Sequence, residues 1–465
     1  MQDLLTDPLW EAKDLGRAIP DSRHAVSVCL PTWQSVIGYE EGDEAVTSRM
    51  KCGYPRFFLH PDVVELHKNI AAEKNALIGG EPLKWLAFPH EDCARRCANY
   101  ILGKGTGTAV VEASGANLWV VGVEESGYED AVHYWRITGD GVSSRRAESI
   151  LQGVRISDDS SSLDRVREQL AGLYDQPREN VFVFRSGMSA IFAVHRVLGR
   201  MFPDRKSIQL EFPYVDSLKV QQEFGPGTTF VPMTEHGGLR KVGEILERES
   251  IAGIYTELPS NPLLRTADIA GVAKLLREAG DRGGPLLIDD TVATVFNVDA
   301  LRYADLVTSS LTKYFSGVGD VMAGAVVLRD DSPYADKFRE LLLEESTLFL
   351  LPEDAAVLVK NSADFEVRMP KLNANAERLF EYLNARPELE KVWYPTTETP
   401  EHYAAVMRTD REGVGHSTLI SLLLRNPEQT SAPFYNALRV SKGPSLGTNF
   451  TLACPYVLLA HYYEL

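Results

Sequence analysis

The chain has 465 residues, 44% hydrophobic and 24% charged, with 35 glycines and 25 prolines, a composition that excludes a fibrous, disordered or small disulfide-stapled protein. Its 48 Lys plus Arg against 65 Asp plus Glu leave a formal charge of -17, which repels phosphate backbones and anionic lipid, and no local basic patch offsets it. Neither nucleic acid nor membrane is therefore expected as a partner.

The opening segment, Met1 to Leu15, is acidic where a signal peptide is basic, and no apolar run approaches the roughly 18 residues of a membrane span, so a soluble cytoplasmic protein is expected. Five scattered cysteines, Cys29, Cys52, Cys93, Cys97 and Cys454, fit a reducing compartment rather than a disulfide framework. Residues 1–156 read as an N-terminal α/β region, with strands at Lys84 to Phe88, Thr108 to Glu112 and Leu118 to Val123 and helices at Glu91 to Leu102 and Tyr128 to Trp135. Cys93 and Cys97 lie four apart on the first of these helices, but no second pair or suitably placed histidine follows, so no metal site is expected. Gly103 to Gly107 has its lysine on the wrong side for a phosphate-binding nucleotide loop and reads as a tight turn. The polar run Ser157 to Ser162 marks a loop and the start of the next helix.

Residues 157–350 alternate short β-branched runs with longer helical patterns, the signature of a parallel sheet covered by helices. The predicted strands are Val181 to Phe184, Ser207 to Phe212, Thr229 to Met233, Gly253 to Glu257, Pro285 to Asp289, Asp305 to Ser309 and Ala323 to Leu328. Residues 351–465 begin with long helices over Glu353 to Ala385, continue with a strand near Val392 to Tyr394, and read as a smaller α+β domain.

The chemistry-bearing residues sit at strand ends. Ser309-Ser310-Leu311-Thr312-Lys313 follows one strand, and a lysine there can be desolvated into an amine nucleophile or base. In Arg185-Ser186-Gly187-Met188 a strand turns into a helix, so the N–H groups of Gly187 and Met188 would face an anion. Asp289 ends a strand at the edge where open α/β sheets bind ligands, and Glu257-Leu258-Pro259-Ser260-Asn261-Pro262 ends another with a polar side chain.

With these motifs in this order, the sequence resembles the pyridoxal-phosphate enzymes of cysteine and methionine metabolism, and within them the fungal cystathionine γ-synthases. His24 to Val28, Leu30-Pro31-Thr32-Trp33, Gly53 to Phe58 and Thr138 to Arg145 extend the resemblance over nearly the whole chain. It implies a fold of the aspartate-aminotransferase type (fold type I), with a large, mostly parallel pyridoxal 5'-phosphate domain, a smaller C-terminal domain and an N-terminal segment that reaches a neighbouring subunit. The resemblance also assigns roles. Lys313 would hold the cofactor as a Schiff base and shuttle protons, Asp289 would pair with the ring nitrogen, and Asn261 would bond the ring hydroxyl. Gly187, Met188, Ser310 and Thr312 would hold the phosphate, and Tyr214 would stack on the ring near the departing group. A neighbouring subunit's arginine would complete the phosphate site; Arg145 has the more family-like distance, while Tyr54 with Arg56 forms the other candidate pair. A homodimer or homotetramer with shared sites follows.

Two departures stand out. Gly317-Val318 replaces the family's glycine-histidine pair, and the family's substrate-gripping arginine segment would lie past Leu465, leaving Ser445 as a substrate contact. Arg439-Val440-Ser441-Lys442-Gly443 mimics that segment but precedes Pro444 to Thr448 and reads as a decoy. The implied reaction is γ-replacement on an activated homoserine, an O-acyl or O-phospho ester, with cysteine. Its rivals are another sulfur or carbon nucleophile, γ-elimination, or a cofactor-binding regulatory subunit.

Overall fold

The computed structural model describes residues 3–55, 57–78, 80–115, 117–155, 159–232 and 238–462. Arg56, Ser157, Asp158 and Met233 therefore lie outside the described residues.

Short buried runs such as VFVF, LLID and GAVVL have the length and β-branched content of strands covered on both faces. They assemble one seven-stranded sheet in the order Val181–Phe184, Gly324–Leu328, Leu306–Ser309, Leu286–Asp289, Gly253–Glu257, Ser207–Leu210 and Thr228–Val231. Gly324–Leu328 is antiparallel to both of its neighbours, and the remaining pairs are parallel. The other six strands thus end along one edge. Successive side chains go to opposite faces. Val181 and Val183 join the core packed by helices Ser161–Tyr174, Gly238–Arg248 and Ile269–Ala279, while Phe182 and Phe184 join the core packed by Gly187–Met201 and Ala335–Glu344.

Before this sheet, Lys84–Phe88, Trp119–Val123 and Ala109–Ala113 form a separate antiparallel sheet with Trp119–Val123 in the middle. Helices Glu91–Lys104 and Tyr128–Thr138 carry its apolar side into the core around Gly187–Met201. Cys93 and Cys97 are buried there, and Cys93 Sγ accepts from Arg96 and Arg185 at 3.1 and 3.2 Å, so both cysteines serve the core. Gly105 ends helix Glu91–Lys104 at φ +70°, as a tight turn requires.

The long helices expected over Glu353 to Ala385 are Pro352–Asn361 and Phe365–Asn384, with a break between them. The break frees Asn361 to bond Ser316 Oγ at 3.1 Å and Asp320 Oδ1 at 2.7 Å, while Arg368 reaches the Tyr314 carbonyl at 2.6 Å. Both helices thereby grip the segment that follows Lys313. Beyond them, Leu389–Trp393 pairs antiparallel with Ser421–Leu424. No helix among the described residues is long and apolar enough to cross a membrane.

Candidate active site

The ends of the parallel strands open onto a cavity with about 1180 Å³ of empty space. Lys313, Asp289, Asn261 and Tyr214 line it, as do Gly187, Met188, Ser310, Thr312 and Ser445. Sheet order explains why residues so far apart in sequence meet there.

The strand-to-helix turn supplies an anion cradle. Ser186 caps helix Gly187–Met201 by accepting the Ser189 N–H at 3.0 Å, and the Ala190 N–H is bonded to the Ser186 carbonyl. Gly187 and Met188 are the first two helical residues, whose N–H groups have no intrahelical acceptor. A Cβ at Gly187 would meet Ser310 Cβ at 2.9 Å and Oγ at 3.1 Å, so glycine keeps this space open beside the Ser310 hydroxyl. Thr312 is engaged differently: its hydroxyl lies 3.2 Å from the Ala323 carbonyl and accepts the Ala323 N–H at 3.0 Å. That backbone pairing holds the lysine turn against the neighbouring strand.

Lys313 is buried, and its Nζ donates to Ser445 Oγ at 2.8 Å and to Tyr54 Oη at 3.2 Å, 4.6 Å from the centre of the Tyr54 ring. Gly447 packs against the lysine's own backbone, since a Cβ there would lie 2.7 Å from Lys313 Cβ, and its φ is +75°. The Ser445 segment is thus fitted to the lysine.

Two carboxyls, Glu257 buried and Asp289 half-buried, stand side by side at the ends of adjacent strands, directly in register. Burial pushes the Glu257 carboxyl up to about 8, with the Asp289 charge adding to the rise. Asp289 is also raised by burial, but Thr291 and Thr308 bond it and oppose the shift. Asp289 therefore takes the negative charge and Glu257 keeps the proton. Glu40 also lines this cavity, and burial pushes it up to about 7, with the Arg136 guanidinium opposing.

Arg145 is the expected site residue that the structure sets apart. It donates to Asp354 at 3.0 Å and to the Asp320 carbonyl at 2.6 Å, and it lines a neighbouring cavity rather than the one holding Lys313 of its own chain. Tyr54, the weaker candidate by sequence distance, is the one beside Lys313, whereas Arg56 lies outside the described residues. Arg439 packs over the Trp10 ring and Lys442 bonds the Pro31 and Asn436 carbonyls, both structural roles that match the decoy reading. Glu257 received no role from the sequence, although a carboxylate ending a predicted strand was the available signal. Among the described residues the side chains of His24, His60 and Asp62 gather closely enough for a metal. His60, however, accepts the Asp62 N–H and bonds the Arg23 carbonyl, which occupies both ring nitrogens.

Amides and a hydroxyl around a space that a Cβ would fill, a carboxylate and a buried lysine amine suit a phosphate-bearing pyridine with an aldehyde. Fold and donor set define a fold type I pyridoxal-phosphate enzyme. The chain belongs to the Cys/Met metabolism PLP-dependent enzyme family, whose model matches residues 160–457. It is 30% identical to a cystathionine gamma-synthase of Neurospora crassa, over 97% of this chain and 92% of that one. It is 33% identical to an L-2-amino-4-chloropent-4-enoate dechlorinase/desaturase of Streptantibioticus cattleyicolor, over 96% and 89%. Among solved structures, a cystathionine gamma-lyase from Lactobacillus plantarum complexed with L-serine superposes with a TM-score of 0.54 at 25% identity, covering 64% of this chain and 76% of that one.

Proposed function

We propose that the protein catalyses γ-replacement on an activated homoserine, an O-acyl or O-phospho ester, with cysteine as the incoming thiol. The observation that carries this reading is the buried Lys313 amine, held between Ser445 and Tyr54 in a cavity that the Asp289 carboxylate also lines. The cystathionine gamma-synthase relative supplies the reaction class.

When bound through Lys313, the cofactor would act as the electron sink for carbanions next to the amino group. Lys313 would remove the α-proton and move a β-proton so that the γ-substituent departs. Tyr54 Oη, 3.2 Å from Nζ, is within reach to exchange a proton with that amine. Asp289 would keep the ring nitrogen protonated, and Tyr214 and Asn261 would fix the ring. Gly187, Met188 and Ser310 would hold the phosphate; for Thr312 to donate there, its hydroxyl proton must turn away from the Ala323 carbonyl.

The test is to incubate the purified protein with O-acetylhomoserine, with and without cysteine, and to follow products by mass spectrometry. A thioether containing both carbon skeletons supports replacement. A keto acid formed regardless of cysteine supports γ-elimination, the second reading, to which the dechlorinase/desaturase relative lends weight. Separately, borohydride should trap the cofactor on Lys313 and nothing on Lys313→Ala; trapping at another lysine would refute the assignment.

We also propose a homo-oligomer with shared sites, a reading that rests on the family resemblance. Mixing Arg145→Ala with Lys313→Ala subunits should then restore part of the activity. No recovery after proven subunit exchange would assign Arg145 to the Asp354 pair alone. A cytoplasmic setting is supported by five free cysteines, four of them buried, and recovery of the native protein from an oxidising secretory fraction would contradict it.

A further inference from the structure

Glu257 is a buried carboxyl that the proposed chemistry does not use. It ends strand Gly253–Glu257 and lines the same cavity as Lys313. Its carboxyl accepts the backbone N–H of Tyr214 and has the backbone N–H of Asn261 close enough to hold its pKa down. These residues lie on different loops, one following strand Ser207–Leu210 and the other following Glu257's own strand. One side chain therefore ties together the two loops that carry the proposed ring contacts, next to the carboxylate proposed for the ring nitrogen.

We propose that Glu257 is a positioning residue of the cofactor site, whose single carboxyl fixes Tyr214 and Asn261 relative to each other and to Asp289. The proposal rests on the reading of Tyr214, Asn261 and Asp289 as partners of the cofactor ring. Two backbone donors meeting one carboxyl make a clasp that few other side chains reproduce. Even protonated, the carboxyl keeps an acceptor lone pair on each oxygen, whereas an amide at the same place offers one oxygen and an NH2 group that repels a second N–H. An aspartate is one methylene too short to span both loops from the same backbone. In the open apoprotein cavity water can take either freed N–H, whereas the bound cofactor displaces that water and leaves the donor unmatched.

The experiment uses the full chain as holoprotein and, after cofactor removal, as apoprotein. Three quantities are compared for the wild type, Glu257→Gln and Glu257→Asp: the cofactor dissociation constant, the circular dichroism induced in the cofactor's visible band, and apoprotein thermal unfolding. Loss of one clasping hydrogen bond, at about 1.4 kcal/mol, should weaken cofactor binding about tenfold in both variants. The induced dichroism should shrink as the ring loses its fixed tilt, while the apoprotein melting temperature stays close to wild type.

A double-mutant cycle of Glu257→Gln with Asn261→Ala should be non-additive in cofactor affinity, because the first change already frees the Asn261 loop. Wild-type affinity and dichroism in Glu257→Gln would overturn the proposal, as would additive losses in the cycle. A variant whose defect lies wholly in apoprotein melting would do the same. If the wild type itself cannot be trapped by borohydride at Lys313, the underlying reading falls and this proposal with it; trapping at Lys313 with unchanged Glu257 variants refutes Glu257 alone.

Discussion

Lys313 Nζ donates to Ser445 Oγ at 2.8 Å across 132 residues of chain, and Ser445 reaches it from a backbone φ of +116°. That conformation strains any residue with a Cβ, at a typical cost of about 1–3 kcal/mol. Strain beside the proposed catalytic amine separates two substitutions. Ser445→Ala loses the hydroxyl and keeps the strain; Ser445→Gly loses the hydroxyl and relaxes the backbone. Both should impair turnover alike, while the glycine variant unfolds at higher denaturant than the alanine variant by about 1 kcal/mol. Equal stability of the two would show that the backbone there is unstrained.

Asp289→Asn removes a half-buried charge from beside Glu257 with almost no change of shape. Its amide cannot stabilise a protonated ring nitrogen, so turnover should fall on the order of 100-fold or more. Thermal stability should hold or rise, since the remaining carboxyl no longer has a charged neighbour. Unchanged turnover in a folded Asp289→Asn protein would point to Asp290, which burial pushes up to about 7 and which accepts from the Tyr174 hydroxyl at 2.8 Å.

Arg145→Ala would leave the buried Asp354 carboxyl without its 3.0 Å partner. Stranding one member of a buried pair costs about 3–5 kcal/mol. Replacing both, as Arg145→Met with Asp354→Leu, should recover most of that loss in urea unfolding. If Arg145→Ala is as stable as wild type, the arginine has no structural duty within its own chain.

Gly187→Ala tests the anion cradle. The added methyl would lie 2.9 Å from Ser310 Cβ, in the space proposed for a phosphate oxygen. Cofactor affinity should drop at least about tenfold, equivalent to one lost charge-assisted contact of about 1.4 kcal/mol or more, and because Ser310 must shift to admit the methyl, affinity is compared at a temperature where both apoproteins are folded. Wild-type affinity in Gly187→Ala would place the phosphate elsewhere.

Strand ends were readable from sequence because short β-branched runs buried in a parallel sheet leave a strong local signal, and the polar residues at or just after each run are conspicuous: Asp289, Asn261 in the loop after Glu257, and Ser309 and Ser310 ahead of Lys313. Partnership between strand ends was not. Glu257 and Asp289 are 32 positions apart, and only the sheet order places them in register. Tyr54 and Ser445 reach Lys313 through long-range packing that carries no periodicity at all. Helices over Glu353 to Ala385 were legible from their pattern, but the place of the break was not: Asn361 there bonds Ser316 and Asp320, 45 and 41 positions away.

Acid should loosen the N-terminal α/β region through His67. This histidine is buried on helix Pro61–Asn75, and its Nε2 accepts the Ala87 N–H at 3.0 Å, tying the helix to strand Lys84–Phe88. Burial pushes its pKa down from the ordinary 6.5 to about 4, so the folded state holds it neutral where the unfolded chain would protonate it. Between those values the unfolded state binds the extra proton. This contribution to stability is therefore complete above pH 6.5 and is lost as pH falls toward 4, at most about 3 kcal/mol. Other groups titrate in the same window: His90, pushed down to about 4, adds to the loss, while Asp290, pushed up to about 7, makes the folded state more stable as pH falls. The net pH profile of the wild type is thus a mixture, and the informative quantity is its difference from His67→Gln, whose side-chain oxygen still accepts the Ala87 N–H but cannot be protonated in this range. At pH 8 the two proteins should differ by only about 1 kcal/mol. Urea unfolding at pH 4.5 should show the wild type losing ground to the variant by up to one proton's worth of slope, and parallel profiles from pH 8 to 4.5 would mean that His67 is already charged, or solvated, in the folded protein.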